Sequence, residues 1–232
     1  MKAEILDKLQ DARRARRPVA LVTDLGSGAQ ALLESGRVIG DDALAADALA
    51  AAMKMLDRDE TGTVEAGSRR LFVHVHNPPS RLIIVGAVHI AQALAPMASL
   101  MGYAVTIVDP RRAFATDARF PTVTLSDDWP DEAMQRLDPD RRTAVVTLTH
   151  DPKLDDPALT VALRSPAFYV GSLGSKRTHA KRLERLRAAG LTDAELARIH
   201  GPVGLNINAI SPAEIAVSIL GQITEVRRRD AK

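Results

Sequence analysis

The sequence predicts an α/β protein, a parallel sheet flanked by helices and preceded by a small α+β domain. Three observations carry this reading. Residues 81–109 run as apolar strand, tight glycine turn, helix, second apolar strand and terminal acid, which is half of a Rossmann-like dinucleotide-binding fold. Beyond Asp109, short apolar runs keep alternating with helical patterns, as in a parallel sheet covered on both faces. Upstream, Asn77-Pro78-Pro79-Ser80 breaks the pattern and divides the chain into residues 1–80 and 81–232.

In the first part, residues 19–25 are an apolar run ending at Gly26-Ser27-Gly28, a turn signal, after which 30–33 and 37–39 pair as short strands. Asp41 or Asp42 caps an alanine-rich helix reaching about Leu56. Residues 71–76 alternate as a strand, which puts His74 and His76 on one face. A metal would need a third ligand there, and a half-exposed strand face accounts for the pair as well.

In the second part, residues 82–85 suit a strand buried on both faces, and Gly86 stands where the chain must turn. A helix over 89–101 follows, with Gly102 as its C-terminal cap, then a strand over 104–108. Asp109 falls where such folds place the acid for a ribose hydroxyl. Gly86-Ala87-Val88-His89-Ile90-Ala91 meets the first and last positions of G-x-G-x-x-G/A, but Val88 replaces the glycine that admits a pyrophosphate. An NAD(P)-dependent oxidoreductase is therefore the alternative reading. Pro96 should remove a helical hydrogen bond and kink the axis.

Further on, strands are expected at 122–125, 144–149, 168–172 and 203–207, and helices at 130–137 and 154–163. Gly174 to Arg177 open a cationic helix ending near Gly190. Thr192 with Glu195, and Ser211 with Pro212 and Glu214, are capping boxes.

Composition narrows the function. At 232 residues the chain is long enough for one medium domain plus a smaller one, and a hydrophobic content of 46% supports a proper core. With 31 basic against 29 acidic residues and 3% aromatics, no nucleic-acid surface is expected; the arginine clusters at 13–17 and 227–229 read as solvated helix ends. No apolar run approaches the roughly 20 residues that span a bilayer, and residues 1–18 lack the apolar core of a secretory signal, so a cytoplasmic location is expected. Cysteine is absent, which removes disulfides, thiolate ligands and a cysteine nucleophile.

Ligands of open α/β sheets bind beyond the carboxyl ends of the strands. Those ends carry Gly86 to His89, Asp109 with Arg111 and Arg112, Thr149 to Asp151, and Gly171 to Arg177. The last segment combines glycines, a serine hydroxyl, helix amides and two cations, the makings of an anion site or of an ordinary strand-to-helix turn. His150 is a candidate general base or metal ligand, or a hydrogen-bonded turn residue. Neither a Ser-His-Asp set nor a metal-ligand spacing stands out, which points away from an enzyme.

Several blocks occur together and in order: residues 84–91, Val108-Asp109-Pro110-Arg111, Arg119-Phe120-Pro121, Thr149-His150-Asp151, residues 169–177, and residues 201–214 with Pro202-Val203-Gly204-Leu205. In these the chain resembles the XdhC/CoxI family, maturation factors of xanthine dehydrogenase and carbon monoxide dehydrogenase type molybdoenzymes. The resemblance covers about residues 81–222, with 19–76 as a shortened N-terminal domain. It implies transient binding of molybdenum cofactor, a molybdopterin with or without a nucleotide. A cysteine desulfurase then installs the terminal sulfido ligand, and the cofactor passes to a molybdenum hydroxylase client. The family motif positions are Gly86, Ala87, His89, Asp109, His150, Gly171, Gly174, Ser175 and Lys176, with Lys176 or Arg177 toward phosphate and Asp109 toward a hydroxyl or pterin nitrogen. A longer paralogue and a second copy of the chain remain open as partners. Departures from the family pattern are Val88 for glycine, Asn206 for aspartate, Asn208 for glycine, and an N-terminal part without glycine- and cysteine-containing motifs.

Overall fold

The computed structural model describes residues 3–34, 36–40 and 44–229. The chain separates between Pro78 and Pro79 into two units, each with its own core.

The first unit contains α1 (Ala3–Arg14), β1 (Val19–Asp24), β2 (Gln30–Glu34), β3 (Arg37–Gly40), α2 (Ala46–Arg58), β4 (Gly62–Ala66) and β5 (Arg69–His76). Its strands form an antiparallel sheet in the order β3-β2-β1-β5-β4. The two-residue period of β1 feeds both faces: Ala20 and Val22 pack with Ala48, Ala52 and Leu56 of α2, and Val19 and Leu21 with Ile5, Leu9 and Ala12 of α1. His74 lies opposite Leu21 and His76 opposite Val19, so both imidazoles stand on the α1 face, with ring centroids 4.1 Å apart. Burial, with His74 and Arg13 nearby, holds His76 below the usual histidine range. Among the described residues no three His, Asp or Glu side chains gather to hold a metal.

Two expectations change here. Asp41 and Asp42 lie outside the described residues, and α2 begins at Ala46 behind Ala45, which makes no side-chain cap. Strand β4, unforeseen, pairs with β5 across a turn holding Gly67 at φ +58°. Only Ala66 is buried in it, so it is a half-exposed edge strand without the apolar run that would have marked it.

The second unit contains β6 (Arg81–Val85), α3 (His89–Leu100), β7 (Ala104–Val108), β8 (Thr124–Ser126), α4 (Pro130–Leu137), β9 (Thr143–Thr147), α5 (Pro152–Arg164), β10 (Tyr169–Ser172), α6 (Lys176–Ala188), α7 (Asp193–Leu196), β11 (Ile199–His200) and α8 (Pro212–Arg228). All pairings are parallel, in the order β11-β10-β9-β6-β7-β8. The strand order reverses between β6 and β9, the topological switch point of a Rossmann-type sheet. Alternate strand residues feed two cores. Leu82, Ile84, Val146 and Leu148 meet α3 and α8; Ile83, Val85, Val145 and Val170 meet α4, α5 and α6. Each such side chain contributes about 1.5–3 kcal/mol by leaving water.

The last strand is not where the sequence placed it. Residues 203–207 are irregular, and β11 comes earlier. Pro202 has no N–H to donate and Gly204 sits at φ +95°, so a ladder cannot continue. A single bond from Val203 N to Ser172 O, 3.1 Å, remains. Pro96 is tolerated: α3 runs through it, with the ring exposed.

Candidate functional site

The register sets Val108, Val85, Thr147 and Ser172 side by side on β7, β6, β9 and β10. The turns leaving these strands therefore start level, spread over roughly 15 Å at the usual strand spacing of about 4.8 Å.

At the switch point Gly86 has φ +112°, a value suited to glycine, and a Cβ there would stand 2.7 Å from Thr149 Cγ2. The next amide, Ala87 N, donates to Asp109 Oδ2 at 2.8 Å. Asp109 is fully buried, and its oxygens also accept from Arg111 N (3.0 Å), Nε (2.8 Å) and Nη2 (2.7 Å). Burial pushes its pKa up, and the hydrogen bonds from Arg111 and Ala87 more than reverse that, leaving it below the usual carboxylate range. The acid expected to meet a ligand hydroxyl is thus saturated from within and ties the glycine turn to the end of β7. Val88 forms the N-cap position of α3 without a side-chain cap, its side chain packing on the core. His89, the first helical residue, is exposed.

At the end of β9, Thr149 Oγ1 donates to Asp155 Oδ1 (2.7 Å) and accepts from Asp151 N (3.0 Å). Asp151 is committed as the N-cap of α5 through Lys153 N, 2.9 Å. Between them His150 is exposed at φ +63°, a left-handed conformation uncommon outside glycine.

At the end of β10, Gly171 lies within the strand, buried; a Cβ would meet Val203 Cγ2 at 2.6 Å and the Tyr169 ring at 2.8 Å. Its glycine is needed for packing. Buried Thr147 and Ser172 hydroxyls meet at 2.5 Å. Gly174 turns the chain at φ +144°, and Ser175 caps α6 by accepting from Thr178 N, 3.1 Å. Lys176 and Arg177 are exposed in the first helical turn. Of the nine candidates, Gly86, Ala87, His89, Asp109, His150, Gly174, Ser175 and Lys176 gather at this carboxyl edge, and Gly171 lies beneath it.

Sequence reading missed Asp155 and Arg182, exposed by 1% and 2%, whose nearest charged atoms are 3.9 Å apart. Burial raises the Asp155 pKa and lowers that of Arg182. A signal existed: Arg182 lies four residues before buried Leu186, on the inward stripe of an otherwise cationic helix. A separate groove of about 700 Å³ between α4 and α5 includes Asp138, Pro139, Ser165 and Pro166, which lead into β9 and β10, so it opens at the opposite edge of the sheet.

The edge suits the organic part of a phosphorylated cofactor better than a metal. Its helix starts offer amides, and Arg182 Nε and Nη1 and Asp155 Oδ2 are buried without partners. Among the described residues no group of three or more His, Asp or Glu side chains could hold a metal, and the sequence has no cysteine.

Residues 82–223 match the family model described as the XdhC Rossmann domain. The chain is 34% identical over 150 residues to the molybdenum cofactor insertion chaperone PaoD of Escherichia coli, covering 65% of this chain and 41% of that protein. It is 31% identical over 162 residues to a probable xanthine dehydrogenase subunit of Bacillus subtilis (69% and 47%), and 33% over 173 residues to the uncharacterized protein YqeB of Escherichia coli (73% and 31%). It thus spans about a third to a half of these relatives. A crystal structure of a xanthine dehydrogenase from Bacillus halodurans superposes with TM-score 0.75 over 98% of this chain and 68% of that one, at 24% identity, which bears on the fold alone.

Proposed function

Because the chain belongs to the XdhC family, its Rossmann domain spanning residues 82–223, we propose that it is an accessory protein that binds molybdenum cofactor and passes it to a molybdoenzyme of the xanthine dehydrogenase or carbon monoxide dehydrogenase type. The observation that carries this is the common edge: the glycine turn, the His150 loop and the first turn of α6 leave neighbouring strands level with one another. The name of PaoD supports the insertion role, and that of the Bacillus subtilis protein supports xanthine dehydrogenase as the kind of client.

In this reading the residues bind and shield, and the cofactor, when bound, supplies the molybdenum redox chemistry used by the client. First-turn amides of α6 with Lys176 hold a phosphate. His89 and His150, both exposed, meet polar edges of the pterin from either side of the switch point. Asp109 acts indirectly, by fixing the amide of Ala87. The family resemblance implies a cysteine desulfurase as the source of sulfur. Residues 1–80 and 81–232 act as two domains, and a longer paralogue or a second copy of the chain is its further partner.

The test is direct. Molybdenum cofactor released from a molybdoenzyme is mixed with the purified chain, and pterin fluorescence is followed through gel filtration. Co-migration at near one pterin per chain is expected. Absence of pterin from the protein peak, with micromolar NAD(H) binding and hydride transfer to a small carbonyl, would replace this reading by the oxidoreductase one.

A further inference from the structure

Behind the first turn of α6 the protein buries a cation that it leaves incompletely paired. Helical side chains lean toward the N-terminus, so Arg182, about two turns into α6, returns its guanidinium to the turn that starts the helix. There Nη2 donates to Leu173 O at 2.7 Å, while Nε and Nη1 have no partner. Asp155 Oδ2, 3.9 Å from Nη2, is itself unpartnered, its other oxygen being taken by Thr149. Buried N–H groups without acceptors are costly, so an acceptor from water or from a ligand is expected to meet them. Burial raises the Asp155 pKa, against the hydrogen bonds from Thr149 and the charge of Arg182.

Two features adjoin this cation. Gly174, at φ +144°, brings the backbone close to the helix start and to the guanidinium: a Cβ there would crowd Thr178 Cγ2 at 3.1 Å and lie 3.7 Å from Arg182 Nη2. Beyond it stand the amides of Lys176 and Arg177, with the Ser175 hydroxyl already engaged by Thr178 N. We propose that Arg182 is the buried cation of an oxyanion pocket at the start of α6, and that the ligand group is a phosphate or pyrophosphate ester. A bound oxyanion accepts from the first-turn amides and draws the guanidinium of Arg182, which otherwise faces Asp155 at 3.9 Å. This rests on the cofactor-binding reading, which supplies such an ester, and adds to exposed Lys176 a second, interior cation.

The experiment uses the full chain with inorganic pyrophosphate and orthophosphate as probes. In the parent, the Arg182 Nε–H resonance, assigned by its loss in Arg182→Lys, should shift on addition of pyrophosphate. By calorimetry Arg182→Met should bind pyrophosphate at least about tenfold more weakly, and Arg182→Lys, which keeps charge but loses the planar fork, about three- to tenfold. An Nε–H resonance unmoved at saturating pyrophosphate, or Arg182→Met affinity within twofold of the parent, overturns the proposal. Should Arg182→Met fail to fold, the resonance and Arg182→Lys decide it, an unchanged Arg182→Lys affinity counting against. Arg182-dependent pyrophosphate binding without retention of molybdenum cofactor keeps the pocket and removes the proposed function.

Discussion

Asp109 occupies the position at which this fold sets a ribose-binding acid, but Ala87 and Arg111 occupy its oxygens. The sequence put the residue just past the end of β7, where it stands, and could not show that its partner lies two positions further on. Asp109→Asn should cost about 1.5–3 kcal/mol in urea unfolding, less than breaking a wholly buried pair because Arg111 is 39% exposed. The sign with pH follows from its lowered pKa. Its stabilisation is complete above the unfolded value near 4 and is lost as pH falls through the folded value, so parent and variant should differ steadily above about pH 5 and converge as pH falls below about 4. At the neighbouring turn, Gly86→Ala meets both a positive φ and Thr149 Cγ2 at 2.7 Å, and should lower stability by about 1–3 kcal/mol in the same assay. Lys176→Ala should leave stability unchanged and weaken a phosphorylated ligand about tenfold. Arg185 is no free surface cation: it grips Asp156 at 2.6 and 3.0 Å, joining α6 to α5, so its removal should cost up to about 1 kcal/mol without touching ligand affinity.

Among the elements, α8 shows where local sequence decides structure. Ser211 accepts from Glu214 N, Glu214 accepts from Ser211 N and Ile210 N, and Pro212 occupies the first turn. Ser211→Ala should lower the thermal midpoint by an amount equivalent to about 1 kcal/mol and leave the fold intact by circular dichroism. Such caps are local and were legible, as was strand β6, whose apolar run Leu82 to Val85 is buried on both faces. What escaped was tertiary. Strand β4 is specified by its pairing with β5 more than by its own residues, and the run at 203–207 is apolar because Val203 packs against Gly171. Arg182 escaped because its neighbours on α6 are cations too, and only packing tells the buried one from the exposed. At Asn208 the backbone keeps the left-handed φ, +57°, that the family's glycine implies, and asparagine tolerates it. That departure preserves the turn.

At the scale of the whole molecule, a parallel sheet with its switch point between β6 and β9 brings eight of the nine candidate residues to one edge, together with the Arg182 that the sequence left unmarked. The proposed role asks this edge to hold a cofactor for another protein, so its consequence is read in that protein. The decisive measurement is the molybdenum and pterin content of a xanthine dehydrogenase type enzyme purified from cells lacking this chain, beside its specific activity. The polypeptide should accumulate at a normal level, with cofactor content and activity both reduced at least about tenfold and restored by the parent chain but not by Arg182→Met. A fully loaded, fully active enzyme from the deletion strain would contradict the account.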